Sequence, residues 1–242
     1  MKISLVIPMY NESSVIADTA RTLSEYMEKN FDRSEYEIIF SDYGSKDGCG
    51  DIVRALDLPC VRVEGYTENK GKGSAVRHGI MKADGDIVMF TDADLAYGTD
   101  VIKEFYDFYA EGSPKEDIHI MLGSRNIKGD GYKESTLLRK LASQTYIKVL
   151  CLVGGFKLSD SQCGCKAFRG DVAHDIFSRC TVNGFAFDFE AILWADKLGY
   201  TIKEIPVKII NHRESKVNVF KDAFRMLRDL RKIKKSVKKA AK

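Results

Sequence analysis

Short apolar runs alternate with longer amphipathic segments along the N-terminal half of the chain. Short apolar runs without polar interruption are typical of strands covered on both faces of a sheet, and recurrence every three or four residues is typical of helices. Strands that alternate with helices indicate a parallel, right-handed, doubly wound α/β sheet. The predicted strands are residues 3–7, 36–41, 60–64 and 86–90, and the helices between them are predicted to end near Asn30, Leu56 and Lys82.

The second half of the chain is less regular. Pro8 is expected to end the first strand, and Ser13 or Ser14 is expected to cap the first helix. Further strands are predicted at 118–123, 161–168 and 201–210, and helices at 100–111, 135–152 and 220–237, with two more after residue 168 of which the second begins at 188–190.

Length and composition indicate one globular domain with a short appendage. The chain has 242 residues, of which 44% are hydrophobic, and we assign residues 1–218 to the domain and 219–242 to a C-terminal helix. We expect no signal peptide and no transmembrane segment. The six cysteines form no CxxC pair, and Cys163 and Cys165 are read as strand residues more readily than as a metal or redox pair. These features favour a cytoplasmic protein.

A pair of carboxylates, Asp92 and Asp94, follows the apolar run at 86–90. Ligands of open α/β sheets bind beyond the carboxyl ends of the strands. Two neighbouring carboxylates repel each other there unless a cation lies between them. Mg²⁺ and similar hard cations are held by one or two carboxylates together with substrate phosphates. The pair therefore predicts a site for Mg²⁺ or Mn²⁺ and a diphosphate, although a simple turn or helix cap has the same pattern.

Two other strand ends carry candidate ligands for a nucleotide. The glycine-rich turn at 69–74 leads into a helix and contains Lys72, with Arg77 one turn later, which suits a phosphate but also suits a solvated turn. Its spacing is not that of a Walker loop. Asp42 ends the second strand, where it could bind a base or ribose or form an Asx turn.

A second group of cations lies further along the chain. Arg125 follows a predicted strand, and Arg139 and Ser143 are one turn apart on a predicted helix. Two guanidinium groups and a hydroxyl group could hold a second phosphate, because arginine binds phosphate with two parallel hydrogen bonds. Surface ion pairs are the alternative interpretation.

These motifs together resemble the inverting glycosyltransferases of family 2, which have the GT-A fold. The first five motifs are residues 6–12, 42–48, 69–73, 91–94 and 123–125, and three more, at 160–168, 187–190 and 215–216, resemble the polyprenyl-phosphate sugar synthases, including the dolichyl-phosphate glucosyltransferases and their mannosyl relatives. The resemblance extends over residues 1–218 and implies a nucleotide sugar, UDP-glucose rather than GDP-mannose, as the donor and a polyprenyl phosphate as the acceptor.

The resemblance also implies roles for individual residues. Asp92 and Asp94 would hold the metal and the nucleotide sugar, and Arg125, Arg139 and Ser143 would hold the lipid phosphate. Asp188 would face the sugar or diphosphate and is the fallback general base for a hydroxyl acceptor. The remaining donor-site residues implied are Pro8, Tyr10, Glu12, Asp42, Lys72, Arg77, Gln162 and Lys216.

Three positions depart from the family pattern. Tyr43 replaces the second acid of the usual DDGS loop, which puts the base contact in doubt. Ala96 stands where mannosyl enzymes tend to have a metal-binding glutamine. The arginine–glycine approach to Ser215 and Lys216 is reduced to His212 and Arg213, which leaves the diphosphate contact there open.

The C-terminal segment has a charge of its own. The chain has a formal net charge of +3, but residues 221–242 contain ten Lys or Arg and two Asp, so the remaining chain has 28 basic and 33 acidic residues. Apolar residues recur through the segment at helical spacing. We expect the segment to lie on the cytoplasmic face of an anionic membrane, with a helix packed on the domain as the alternative. A small membrane-protein partner is possible, and nucleic acid is a poor partner for a net acidic body.

Three functions are compatible with the sequence. The first is transfer of a sugar to polyprenyl phosphate, and the second is transfer to a hydroxyl group of a glycan or glycolipid, which has no need of Arg139 and Ser143. The third is a catalytically silent module that binds a nucleotide sugar, which an intact Asp92–Asp94 pair argues against.

Overall fold

The computed structural model contains a seven-stranded, mostly parallel sheet with helices on both faces, in the strand order β3-β2-β1-β4-β6-β5-β7. It describes residues 1–110, 117–127, 137–211 and 230–240, with backbone alone for 137–143. The strands are β1 Ile3–Met9, β2 Tyr36–Tyr43, β3 Val61–Tyr66, β4 Ile87–Phe90, β5 Ile120–Ser124, β6 Lys166–Arg169 and β7 Ile202–Pro206. The helices are α1 Ile16–Asn30, α2 Cys49–Ala55, α3 Lys72–Lys82, α4 Asp100–Ala110, α5 Leu137–Gly154, α6 Gly170–Arg179 and α7 Phe187–Leu198. The predicted α/β fold is confirmed.

Strand β6 is shorter than predicted, and it is an antiparallel strand of the mostly parallel sheet. It begins at Lys166 rather than at residue 161, and it is antiparallel to β4 and to β5. The residues before it form a loop because Glu204 of β7 accepts hydrogen bonds from the backbone N–H groups of Ser159 and Asp160, each at 2.9 Å. The antiparallel direction brings the first residue of β6 to the edge of the sheet where the parallel strands end.

The sheet separates two apolar cores. On one face, α1, α2 and α4 pack against side chains such as Leu5, Phe40 and Met89. On the other, α3, α6 and α7 cover side chains such as Val6 and Phe90. Side chains of the apolar strands enter both cores, as expected for a parallel sheet that is covered on both faces.

The end of β1 and the start of α1 each differ from the prediction. The strand β1 continues through Pro8, which lies opposite Ser41 of β2. It can do so because β4 pairs with β1 only as far as Val6, and a proline is tolerated where part of the ladder is missing. Neither serine caps α1, which begins at Ile16 without a side-chain cap; the Ser13 N–H group donates to Asp47 instead.

The described part of the C-terminal segment is helical over residues 230–239. Its apolar side chains Leu230, Ile233 and Val237 are buried against the core that contains α7. The Lys197 ammonium group also donates to the Val237 carbonyl at 2.8 Å. These three side chains therefore belong to the protein interior and not to a face that enters a membrane, contrary to that part of the prediction.

Residues 212–229 lie outside the described residues, so the boundary at 218 and the rest of the predicted helix stay predictions. Among the helices that the structure describes, none has the length and apolar character needed to cross a membrane.

Candidate active site

The predicted donor-site residues gather along the carboxyl edge of the sheet. Asp42 is the second-to-last residue of β2, and Tyr10 follows β1 directly. Asp92 lies two residues after β4. Lys166, at the start of the antiparallel strand β6, pairs with the last residue of β4 and so reaches the same edge. This edge is where open α/β sheets bind their ligands.

The ends of β1 and β2 form one side of the site. The Tyr10 and Tyr43 rings stack with centroids 5.1 Å apart and an angle of 18° between their planes. Burial raises the pKa of Tyr43 to about 12, so this ring stays neutral. The stack places an aromatic surface where the family pattern has a second acid.

Asp42 forms the Asx turn that the sequence left as an alternative. Its Oδ1 atom accepts hydrogen bonds from the N–H groups of Gly44 at 3.1 Å and Ser45 at 2.9 Å. The carboxylate therefore shapes its own loop. Glu12 lies on the adjacent loop, where its carbonyl accepts hydrogen bonds from the N–H groups of Val15 and of Ile16, the first residue of α1.

The Asp92–Asp94 segment is a tight turn fixed from several directions. The Leu95 N–H group donates to the Asp92 carbonyl at 3.0 Å, and Leu95 has a φ of 47°. The Thr19 hydroxyl donates to the Ala93 carbonyl at 2.7 Å. The Ala96 N–H group donates to Asp94 Oδ1 at 3.1 Å. The two carboxylates are therefore presented on a rigid loop and not on extended chain.

Asp92 is paired with Lys72, the first residue of α3. The lysine Nζ atom lies 2.5 Å from Asp92 Oδ1. Burial acts to lower the pKa of Lys72, but the adjacent Asp92 carboxylate outweighs it and raises that pKa above its usual value. Lys72 is therefore a permanent cation beside the carboxylate, as a site for a diphosphate requires.

Gly164 explains how Asp92 fits beneath the Cys163–Cys165 segment. A Cβ atom on Gly164 would lie 2.3 Å from Asp92 Oδ2. Any larger residue at position 164 would have to displace the carboxylate. The two flanking cysteines are free and buried, and burial raises the pKa of the Cys163 thiol to about 11. They behave as core residues and not as metal ligands.

The donor atoms at this edge fit Mg²⁺ or Mn²⁺ only as part of a larger ligand set. Asp92 and Asp94 offer carboxylate oxygens, the ligand type that these cations prefer. In the part of the chain that the structure describes, no group of three or more His, Cys, Asp or Glu side chains could hold a metal. The remaining ligands would have to come from substrate phosphates and water, as is common for Mg²⁺.

A second buried ion pair, between Lys166 and Asp188, lies beside the first. The Lys166 Nζ atom is 2.5 Å from Asp188 Oδ1 and also donates to the Cys163 carbonyl at 2.6 Å. Burial raises the pKa of Asp188, although Lys166 and Lys72 oppose the shift. Lys166 was not predicted as a site residue; the only signal was its place within the motif at 160–168.

The glycine-rich turn packs against protein on the side that a Cβ atom would take. A Cβ atom on Gly71 would lie 2.4 Å from the Asn183 carbonyl oxygen, and one on Gly73 would lie 2.6 Å from the Val182 carbonyl oxygen. Arg77 donates to the Asn183 side chain at 2.7 Å. The glycines are therefore needed for close packing of the turn on the segment before α7, and the predicted phosphate contact of the turn stays a prediction.

Glu190 holds that segment in place. It is buried in α7, and its carboxylate accepts hydrogen bonds from the Thr181 N–H and hydroxyl groups and from the Val182 N–H group, the last at 2.8 Å. One turn of α7 thus contributes Asp188 to the site and Glu190 to the loop beneath the glycine-rich turn.

Arg125 makes a bidentate ion pair within the protein. Its Nε atom lies 2.6 Å from Asp160 Oδ2 and its Nη2 atom 2.9 Å from Asp160 Oδ1. Asp160 is fully buried. The Gln162 N–H group also donates to Asp160, at 3.3 Å. Much of the Arg125 fork is therefore engaged by a carboxylate, which was not expected for a residue assigned to an acceptor phosphate.

Three of the predicted residues cannot be placed in the site. Arg139 and Ser143 lie on α5, but their side chains are outside the described residues, and so is all of Lys216. Their roles stay predictions.

An open groove of about 860 Å³ begins next to Arg125. Its polar end is formed by Asn126, Gln144 and Ser159, and the Asn126 amide donates to the Ser159 carbonyl at 2.7 Å. Away from that end the lining becomes apolar, and Leu152 is 84% exposed. The other lining residues are Ile147, Lys148, Cys151, Gly155, Phe156, Lys157 and Leu158.

Solved structures share this fold. The structure of glucosyl-3-phosphoglycerate synthase from Mycobacterium tuberculosis with Mn²⁺, UDP-glucose and glycerol 3-phosphate superposes with a TM-score of 0.69 at 20% identity, covering 98% of this chain and 79% of that chain. The same enzyme with Mg²⁺ and UDP gives a TM-score of 0.67. The fold is therefore that of a GT-A glycosyltransferase.

Sequence comparisons identify the family. Residues 4–177 match the model of glycosyl transferase family 2, and the chain belongs to this family. It is 30% identical over 250 residues to the dolichyl-phosphate beta-glucosyltransferase of Dictyostelium discoideum, covering 96% of this chain and 73% of that protein. It is 29% identical over 241 residues to the human protein of the same name, covering 95% of this chain and 74% of that protein. The resemblance to this family predicted from the motifs is confirmed.

Proposed function

We propose that this chain transfers glucose from UDP-glucose to the phosphate group of a polyprenyl, dolichyl-type acceptor, with inversion at the sugar. The observation that carries the proposal is the match, over nearly the whole chain, to dolichyl-phosphate beta-glucosyltransferases of several organisms. The residues at the sheet edge agree with this activity. They provide carboxylates and ammonium groups for a nucleoside diphosphate, with an apolar groove close by.

The donor would bind between the ends of β1, β2 and β4. In this proposal the Tyr10–Tyr43 stack and the Asp42 loop lie beside the nucleoside, and Lys72 lies beside the diphosphate. Pro8, Glu12, Arg77 and Gln162 stay predicted donor-site residues. Asp92 and Asp94 would hold Mg²⁺ or Mn²⁺, which when bound would neutralise part of the charge on the leaving diphosphate.

The acceptor would bind on the side of β5 and α5. A phosphate monoester has a second pKa of about 6 and is already largely ionised near neutral pH, so it needs no general base. It needs to be positioned, and its charge must be partly compensated. We assign positioning to Arg125, Arg139 and Ser143, and the groove lined by Leu152 to the first isoprene units of the acceptor.

Location at the cytoplasmic face of an anionic membrane also belongs to the proposal. The lysines of residues 230–240 that are exposed, including Lys235, Lys238 and Lys239, would supply electrostatic attraction. The small membrane-protein partner stays a prediction.

A hydroxyl acceptor is the second candidate, and two observations favour it. Asp160 already engages Arg125, and Asp188 is a buried carboxylate whose raised pKa suits a general base. GDP-mannose is the alternative donor.

Transfer of labelled sugar tests the donor. UDP-glucose, GDP-mannose and UDP-galactose would each be incubated with a short polyprenyl phosphate, with Mn²⁺ and with EDTA. We expect labelled lipid from UDP-glucose alone and no product with EDTA. Labelled lipid from GDP-mannose alone would contradict the sugar assignment, and product in EDTA would contradict the metal site.

A further inference from the structure

We propose that Lys166 is a positioning residue that fixes the Asp188 carboxylate so that it accepts a hydrogen bond from a hydroxyl group of the donor sugar. The inference rests on the proposed function, because it assumes a nucleotide sugar at the carboxyl edge of the sheet. It assigns a task to a lysine that the sequence motifs and the family match left without one.

Lys166 holds Asp188 at a defined place. Its Nζ atom donates to Asp188 Oδ1 at 2.5 Å and to the Cys163 carbonyl at 2.6 Å, and the Phe90 ring lies beneath it, with the centroid 5.4 Å from Nζ. The lysine side chain is 2% exposed. An ammonium group with two short hydrogen bonds and almost no exposure to solvent keeps the carboxylate in one orientation.

Asp188 belongs to the same charged cluster as the candidate donor residues. Among the described residues, the groups that act on its charge are Lys166 of β6, Lys72 of α3, Asp92 after β4 and Tyr146 of α5. Two cations and two carboxylates therefore alternate at the carboxyl edge. A site of this kind is neutral when all four groups are ionised.

The remaining oxygen of Asp188 suits a hydroxyl group. A carboxylate accepts several hydrogen bonds, and Lys166 contacts only Oδ1. In the part of the chain that the structure describes, no side chain donates to Oδ2. A sugar hydroxyl group is an uncharged donor of the right kind for an oxygen beside the Lys72–Asp92 pair.

A buried ion pair is not in itself evidence of a stabilising role. Well-packed apolar residues of similar volume are often as stabilising as a buried ion pair or more so, whereas removal of one partner leaves an unpaired buried charge. An ion pair at the edge of a candidate active site is therefore better explained by a task there. The same reasoning supplies the test, because replacing both partners by neutral residues leaves no unpaired charge in the interior.

The experiment compares binding of UDP-glucose and UDP by calorimetry in Asp188→Asn, Lys166→Met and the double variant. A hydrogen bond to a charged group contributes about 1.5–3 kcal/mol, so we expect each variant to bind UDP-glucose about 10- to 100-fold more weakly. Affinity for UDP should be unchanged. The double variant should match Asp188→Asn, because Lys166 acts through Asp188. Lys103→Met with Asp107→Asn, which neutralises a surface ion pair 2.6 Å long, is the matched control.

Transfer rates measured against pH give a second readout. Without Lys166 nothing on β6 opposes burial of Asp188, so the pKa of Asp188 should rise and the acidic limb of the Lys166→Met profile should move to higher pH. A purely structural lysine would lower the rate equally at every pH.

Three results would overturn the inference: a double variant that binds UDP-glucose like wild type, a double variant far weaker than Asp188→Asn, or equal losses of UDP and UDP-glucose affinity. Normal UDP-glucose binding by wild type without any lipid product would instead contradict the proposed acceptor and leave these comparisons valid. A wild type that binds neither UDP-glucose nor GDP-mannose would overturn both.

Discussion

Gly164→Ala is expected to abolish most activity while the protein stays folded. The added Cβ atom would lie 2.3 Å from Asp92 Oδ2 and 3.0 Å from Asp92 Cγ, well inside normal contact distance. The carboxylate must retreat by about 1 Å, and a displacement of that size in an active site costs about 10²-fold in rate. The retreat also stretches the 2.5 Å contact with Lys72.

The assay is kcat/KM for glucose transfer, with thermal unfolding measured in parallel. We expect kcat/KM to fall about 100-fold, equivalent to about 2.7 kcal/mol of transition-state stabilisation. Gly184→Ala is the matched control, because no atom lies within 4 Å of the Cβ atom that it would add. A kcat/KM of Gly164→Ala within about threefold of the wild-type value would refute the geometry described for Asp92, because a threefold change corresponds to less than about 1 kcal/mol of transition-state stabilisation.

Three further predictions follow from single contacts. Asp94→Asn should abolish transfer with an unchanged melting temperature, and near-normal turnover in this variant would contradict the metal site. Arg125→Met leaves the buried Asp160 carboxylate unpaired, so the free energy of unfolding in urea should fall by about 3–5 kcal/mol. The double variant Arg125→Met with Asp160→Asn should recover part of this loss. A loss below about 1 kcal/mol in Arg125→Met would place the pair among ordinary surface ion pairs. Leu152→Asp, at an exposed position, should raise the KM for polyprenyl phosphate and leave the KM for UDP-glucose unchanged, whereas equal KM values for the lipid would exclude the groove as its binding site.

The sequence was sufficient for those parts of the fold that depend on local pattern. Strand β4 is apolar throughout, and β1 is apolar except for Ser4. Helices α3 and α7 lie where the sequence predicts them, and α7 begins within the motif at 187–190. The order of the motifs also placed Asp42 and Asp92 at the ends of parallel strands. Each of these features follows from hydrophobic periodicity and from the right-handed connection of strands.

The parts that the sequence did not predict depend on contacts between distant residues. The antiparallel direction of β6 is set by pairing with β4, about 80 positions earlier in the chain. A lysine in an apolar strand gives no sign that Asp188 will neutralise it. A glycine that lets a phosphate approach and a glycine that lets another backbone approach cannot be told apart in a sequence. Only the position of Asn183 in the fold shows that backbone packs against Gly71.

The acceptor is the central claim, and one comparison tests it most directly. UDP-glucose would be supplied with a polyprenyl phosphate and, separately, with the free polyprenol of the same chain length. We predict that only the phosphate is glycosylated, and that the product gives the ³¹P resonance of a phosphodiester. Glucose on the polyprenol, or hydrolysis of UDP-glucose with no lipid product from the phosphate, would contradict the account.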